Sequence, residues 1–297
     1  TASIPHIKTG RVRAIAVASL ERARELPDVP TVAQTLPGYE VTSFAGLLAP
    51  MSGVHAPRAT SGQNMVKYSA AEQLAQGIAA LKAEAIPAQV RARCEDLLID
   101  VAGLCVAARG KDYMRALVAS VDTGGACTAI GHPGGFSAED AAMLNGTAAH
   151  GEDFDDTYEG GPVHSGAVIV PAVLAACERF SRPGTSALLG IAVGVEIMCR
   201  MSHVAPKRIH DAGYHPTGVI GAMGAALGVG AALGLNEKQL VDALGNAGSM
   251  AGGIIEYLAE GAWTKRLHPG WAAACGITRH MPRPMLNVSQ ADASSTP

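Results

Sequence analysis

Between Asp211 and Glu237 the chain carries no formal charge, and seven glycines fall within residues 213–234. Four of them, Gly218, Gly221, Gly224 and Gly228, recur at helical spacing. Glycine weakens an isolated helix, so a helix this rich in it needs close neighbours. The missing side chains, in turn, let a partner backbone approach. The stretch approaches the ~20 residues of a bilayer span. Its reliance on Ala and Val, and the presence of His215, Pro216 and Thr217, favour a helix buried in a bundle over a spanning one. Composition points the same way. Hydrophobic residues make up 48% of the chain but aromatics only 4%, so Ala, Leu, Val, Ile and Met, with 35 Gly, must fill the core. That suits closely packed helices better than a β-sandwich. The glycines mark helix packing and not a nucleotide fingerprint, and neither a G-x-x-x-x-G-K loop nor a G-x-S-x-G elbow occurs.

The apolar spacing predicts a mainly α domain over residues 69–278. Ser69-Ala-Ala-Glu72 has the form of a capping box ahead of Leu74, Ile78 and Leu81. Pro87 opens a second helix with an apolar stripe from Val90 to Leu104. Further helices are expected over 112–120, after the cap Ser137, over 168–180 and 186–203, over 216–233, and over 237–247 after the cap Asn236. Residues 206–214 and 252–263 read as loops. The first 57 residues differ. Residues 11–19 and 39–44 read as strands flanking a short charged helix and three prolines, which makes a small α/β fragment. Residues 58–68 form an unpatterned linker, and 279–297 a polar, irregular tail.

A net charge of −3 gives no electrostatic case for nucleic acid or an anionic membrane as partner. The six cysteines show no metal-type spacing and sit in apolar surroundings, as buried reduced thiols of a cytoplasmic protein would. No basic segment leading into an apolar one opens the chain.

Ionisable groups gather in four loop-like places: 150–164, 203–215, 256–260 and 265–268. A helical scaffold carrying a site at one end of its bundle would show this pattern. The run His150-Gly-Glu-Asp153-Phe-Asp155-Asp156-Thr157, leading to His164, puts three Asp and one Glu within five residues of a chain only 16% charged. It is either a solvated loop or one wall of a site. A metal is the less favoured reading, because the aspartates lack the register of a calcium loop. His215 precedes a predicted helix whose free N–H groups would cradle a carboxylate and keep the imidazole neutral; the alternative is a histidine that only packs the turn. Lys265, between Trp263 and Leu267, either binds a carboxylate or snorkels to the surface.

Two resemblances follow from longer motifs. Ile4-Pro-His-Ile-Lys-Thr-Gly10, Leu26-Pro-Asp-Val-Pro-Thr31 and Pro37-Gly-Tyr-Glu-Val-Thr-Ser-Phe44 resemble a slice of a periplasmic tricarboxylate-binding receptor of the TctC/Bug family. No binding residue carries over from it. Asn145-Gly-Thr-Ala-Ala-His150, Asp153-Phe-Asp-Asp-Thr157, His164-Ser-Gly, Tyr214-His-Pro-Thr-Gly218 and Thr264-Lys-Arg-Leu-His-Pro-Gly270 resemble the MmgE/PrpD family over about residues 70–278. That family includes 2-methylcitrate dehydratase, cis-aconitate decarboxylase and iminodisuccinate epimerase.

The second resemblance implies a large all-helical domain, normally paired with an α+β lid, and a homodimer. It implies cofactor-free and metal-free proton transfer beside a carboxylate of a small di- or tricarboxylate. His215, Lys265 and Asp153 would be catalytic, with His215 moving the proton, Lys265 holding a carboxylate and Asp153 orienting a neighbouring His or Lys. Thr157, His164 and His150 would bind substrate. His164-Ser-Gly departs from the family's His-Pro-Ser or His-Pro-Gly, and the match stops soon after Gly276. The expectation is therefore a truncated chain lacking the lid, with uncovered apolar surface. A 2-methylcitrate dehydratase-like lyase is the first functional reading. An iminodisuccinate-type epimerase, to which the run from Asp156 to His164 is similar, is the second. A non-catalytic carboxylate-binding or gene-fusion remnant is the third.

Overall fold

The computed structural model describes residues 27–28, 68–204 and 207–277. The chain divides into two units, Thr1–Ala45 and Gly46–Pro297, and everything below concerns the second. The expected strands at 11–19 and 39–44, the helix between them, the linker over 58–67 and the tail over 279–297 lie outside the described residues.

The described part is helical, as expected. Its helices are α1 (Ala70–Ala79), α2 (Ala88–Ala108), α3 (Asp112–Val118), α4 (Ala138–His150), α5 (Gly166–Arg179), α6 (Gly184–Val204), α7 (Arg208–Asp211), α8 (Pro216–Leu233), α9 (Glu237–Met250), α10 (Tyr257–Glu260) and α11 (Thr264–Ile277). The caps act where the sequence puts them. Ser69 and Glu72 complete a capping box, Ser137 accepts from the Asp140 N–H, and Asn236 pairs reciprocally with Gln239. The helix end at Gly234 adopts the left-handed conformation, with φ 72°.

Two expected loops are corrected. Residues 206–214 contain the short helix α7, and 252–263 contain α10. The larger correction concerns 265–268, which is not a loop but the opening of α11, with Pro269 inside the helix. Proline normally reads as a breaker. Here it falls six residues into the helix, so the only backbone bond it removes is one to the carbonyl of Lys265.

The core forms around α8, which packs against α5, α6, α9 and α11. α6 and α8 are both long and apolar enough to cross a bilayer, but 83% of α8 is buried by its neighbours. Glycine sets the distance between these helices. A methyl group on Gly228 would stand 2.7 Å from the Gly190 carbonyl oxygen, and one on Gly190 would stand 2.7 Å from the Gly228 oxygen. The same close approach joins α4 to α11, where a Cβ on Gly146 would come within 2.7 Å of the Gly270 Cα. All six cysteines are buried.

Gly228→Ala should therefore push two backbones apart and lower the urea unfolding midpoint by about 1–3 kcal/mol of stability. Gly245→Ala, in α9 with nothing within 4 Å of the added methyl, should leave stability unchanged or raise it by up to about 1 kcal/mol. Equal effects at the two positions would contradict the packing assigned to Gly228.

Candidate active site

Helix ends bring the candidate residues together at one end of the bundle. His150 is the last residue of α4, His164 precedes α5, His215 is the N-cap of α8, and Lys265 lies in the first turn of α11. Between α4 and α5, an antiparallel bridge joins Tyr158 to Val163 and turns the chain back. The His164 ring consequently lies 4.6 Å from that of His150, and the His215 ring 5.8 Å from it. A second bridge, Tyr214 to Ile254, and a 2.8 Å bond from the His215 N–H to the Gly253 carbonyl pin the start of α8 to the segment that carries Tyr257.

A cleft of about 290 Å³ opens there, lined by His150, Asp153, Tyr257, Lys265, Arg266 and adjoining backbone. Lys265 donates to both carboxylate oxygens of Asp153. Its neighbour Arg266 donates to the Gly151 carbonyl at 2.7 Å and lies over the Tyr113 ring, which ties α11 to the end of α4. Asp153 has φ 58°, an uncommon conformation for a residue with a side chain. Phe154, Ile254, Leu258 and Trp263, near the cleft residues in sequence, are exposed.

Behind the cleft the charges are enclosed. Asp155 and His150 have no exposed side-chain surface. The Asp155 Oδ2 lies 2.8 Å from His150 Nδ1 and 3.4 Å from His164 Nδ1. Burial by itself would raise the Asp155 carboxyl. The hydrogen bonds and charges of the two histidines outweigh it and hold the group well below the usual carboxylate range. His164 is the converse. Burial lowers it, but Asp155, Asp156 and Asp153 prevail and leave it above the ordinary histidine value. Its Nδ1 is also 3.3 Å from the Thr157 hydroxyl.

His215 moves in the opposite direction. Burial comes first, then the neighbouring His150, His268, His164 and Lys265, and together they push it down to about 2. The imidazole is neutral, as expected, though mainly through burial. The helix start presents fewer donors than the sequence suggested, because Pro216 has no N–H and those of Gly218 and Val219 turn back to the His215 carbonyl. His215 Nδ1 and His268 Nδ1 are 3.2 Å apart and share one hydrogen bond.

His150, Asp153 and Lys265 thus share the cleft wall. His164 and His215 flank His150, and the exposed Thr157 reaches the group only through His164. Sequence reasoning passed over Asp155, Asp156, Tyr257, His268 and Arg266. His268 stood inside a motif that had been quoted, and Asp155 inside the acidic run, but nothing in the spacing separated the buried aspartate from the exposed one. Asp156 is structural. It accepts from the Ser165 N–H at 3.2 Å, the Ser165 hydroxyl at 2.7 Å and the Gly166 N–H at 2.7 Å, and so caps α5. Burial of its carboxylate, next to Asp155, pushes it up to about 6. Among the described residues, His150, Asp155 and His164 form the group able to offer a metal three donor atoms, all within 4.8 Å of one another.

The family model of the MmgE/PrpD N-terminal domain matches residues 72–281. A cis-aconitate decarboxylase of Aspergillus terreus (strain NIH 2624 / FGSC A1156) is 31% identical over 231 residues, covering 72% of this chain and 47% of that protein. The human cis-aconitate decarboxylase is 38% identical over 147 residues, covering 46% of this chain and 29% of that protein. The chain thus spans about half, or less, of the length of these relatives. A shorter likeness, 46% over 52 residues and 17% of this chain, is to the UPF0065 protein in the tcbD-tcbE intergenic region of Pseudomonas sp. (strain P51).

Two measurements check this geometry. Folded Asp156 keeps its proton between its ordinary value of 3.8 and about 6, where the unfolded chain has released it. Stability linked to this group is then complete below that window and lost as pH rises through it. The wild type should accordingly lose stability from pH 4 to pH 6 more steeply than Asp156→Asn; parallel urea midpoints would sink the assignment. Lys265→Met should change stability by about 1 kcal/mol or less, because its partner Asp153 is 55% exposed.

Proposed function

The chain belongs to the MmgE/PrpD family, and on that footing we propose that it forms the helical part of a lyase acting on a small di- or tricarboxylate by proton transfer at a carbon beside a carboxylate. The observation that carries this reading is the opposed titration of two histidines on either side of His150. His164 is raised and tends to the cation, while His215 is kept neutral. Neighbouring groups driven apart in this way mark an acid and a base. Lys265, at the open side of the cleft, supplies a second cation once a substrate carboxylate competes with Asp153 for it. An anion bound there would offset the smaller contribution that neighbouring positive groups add to burial in depressing His215, so substrate binding itself would strengthen that base.

Dehydration needs a base to remove a proton beside a carboxylate and an acid to protonate the departing hydroxyl. Decarboxylation needs a cation beside the remaining carboxylates and an acid to deliver a proton to carbon as carbon dioxide leaves. The same pair serves both. The sequence favoured a 2-methylcitrate dehydratase-like reaction, and the relatives named as cis-aconitate decarboxylases add decarboxylation of cis-aconitate as a second candidate. His215, Lys265 and Asp153 are assigned the chemistry, and Thr157, His164 and His150 the substrate contacts, with His164 also serving as the acid. The assignment calls for neither cofactor nor metal.

Purified protein incubated with 2-methylcitrate, citrate, cis-aconitate and iminodisuccinate, with products followed by NMR, should turn over one of the first three. His215→Ala should slow that reaction by roughly 100-fold or more. In calorimetry, Lys265→Met should weaken citrate binding by roughly 10- to 100-fold. Absence of both turnover and binding for all four would overturn the proposal. Turnover of iminodisuccinate alone would replace the lyase with an epimerase.

A further inference from the structure

Asp155 and Asp156 are adjacent, and both carboxylates are enclosed, but they are satisfied differently. Asp156 accepts three hydrogen bonds through its two oxygens, as a helix cap should. Asp155 Oδ2 faces two imidazoles, while its Oδ1 is buried without a hydrogen-bond partner. An aspartate kept only for packing would have both oxygens satisfied.

An ionised carboxylate can only accept, so a nitrogen at hydrogen-bond distance from it must carry the proton. At 2.8 Å, His150 Nδ1 is such a nitrogen, and His164 Nδ1, 3.4 Å from the same oxygen, is turned the same way. A proton held on Nδ1 leaves Nε2 bare in the neutral form of the ring. That atom is buried, has no hydrogen-bond partner, and faces Asp153 Oδ1 at 3.7 Å from a wall of the cleft. Asp153 Oδ1 already accepts from Lys265, so Nε2 is the atom left without a partner, and the cleft is where a ligand would bring one.

We propose that Asp155 is a positioning residue: it holds a proton on Nδ1 of His150 and of His164, so that His150 in its neutral form offers a bare Nε2 to a hydroxyl or proton of the carboxylate substrate. This deepens the lyase reading and rests on it for the identity of the ligand, but the tautomer itself does not depend on that reading. The logic is that of a carboxylate behind a catalytic imidazole, which orients the ring and stabilises its protonated form. The other titratable groups facing the cluster are Asp100 from α2, Asp153 and Asp156 from the loop, His215 from α8 and Lys265 from α11. The same three residues could instead grip a metal through Nδ1, but that requires Nδ1 without its proton, the opposite tautomer.

Long-range 15N–1H spectra of the full chain labelled at histidine, assigned with His150→Gln and His164→Gln, read this directly. In the wild type, His150 should show a protonated Nδ1, with Nε2 bare wherever the ring is neutral. Asp155→Asn brings an N–H of its own, so His150 should pass to the Nε2–H form, whereas Asp155→Glu should retain the original one. Citrate binding supplies a second readout. The pH at which affinity falls should move down by about one unit or more in Asp155→Asn, because His164 has lost its counter-charge. A bare Nδ1 in wild-type His150, or an unchanged tautomer and pH midpoint in Asp155→Asn, would overturn the proposal. Should that variant not fold, the wild-type spectrum alone decides. Wild-type tautomers as described, with no citrate binding, would leave Asp155 its role and remove the lyase reading instead. Citrate binding with the opposite tautomer would do the reverse.

Discussion

The structure depends on helices that touch without side chains between them. Where Gly190 meets Gly228, and Gly146 meets Gly270, an added methyl would collide with backbone at 2.7 Å. Apolar burial alone does not select such an arrangement, since larger residues would bury more area per contact. Close approach sets the crossing of α4, α6, α8 and α11 and so determines which helix ends meet. The cleft inherits its geometry from that choice. Arg266 reaches the Gly151 carbonyl, and Lys265 reaches Asp153, only because α11 lies directly against α4.

At the end of the bundle the chain does what its interior avoids, and buries charge. An isolated carboxylate there would take up a proton. Asp155 stays ionised because two imidazoles share it, and in return it raises one of them. His215, buried without a carboxylate and with other basic groups around it, moves the other way. A few ångströms thus separate a histidine inclined to be cationic from one held neutral. Each owes its state to its neighbours and neither to its own chemistry.

Much of the scaffold was legible beforehand. The bounds 216–233 of the central helix, the caps Ser69, Ser137 and Asn236, and the crowding of ionisable groups at one end all follow from local signals: a Pro at the first helical position, a capping side chain, an apolar period. These signals are local because the backbone bonds they satisfy lie within four residues. The opening of α11 was not legible, because Pro269 masks a helix that neighbouring α4 and α8 stabilise through packing. Nor was the division of labour within the acidic run. Asp153, Asp155 and Asp156 look alike in a string of letters, yet one is exposed and pairs with a lysine 112 residues away, one is shared by two histidines, and one caps a helix.

By itself, then, the sequence determined the helical class, most helix limits, and a set of residues suited to handling carboxylates. Periodicity, capping and residue chemistry are written along the chain. Only the tertiary structure decided the opposed states of His164 and His215, the partner of Lys265 and the special place of Asp155. Burial and charge proximity arise between segments far apart in sequence, and a buried ionisable group takes its properties from whatever the fold puts within a few ångströms of it.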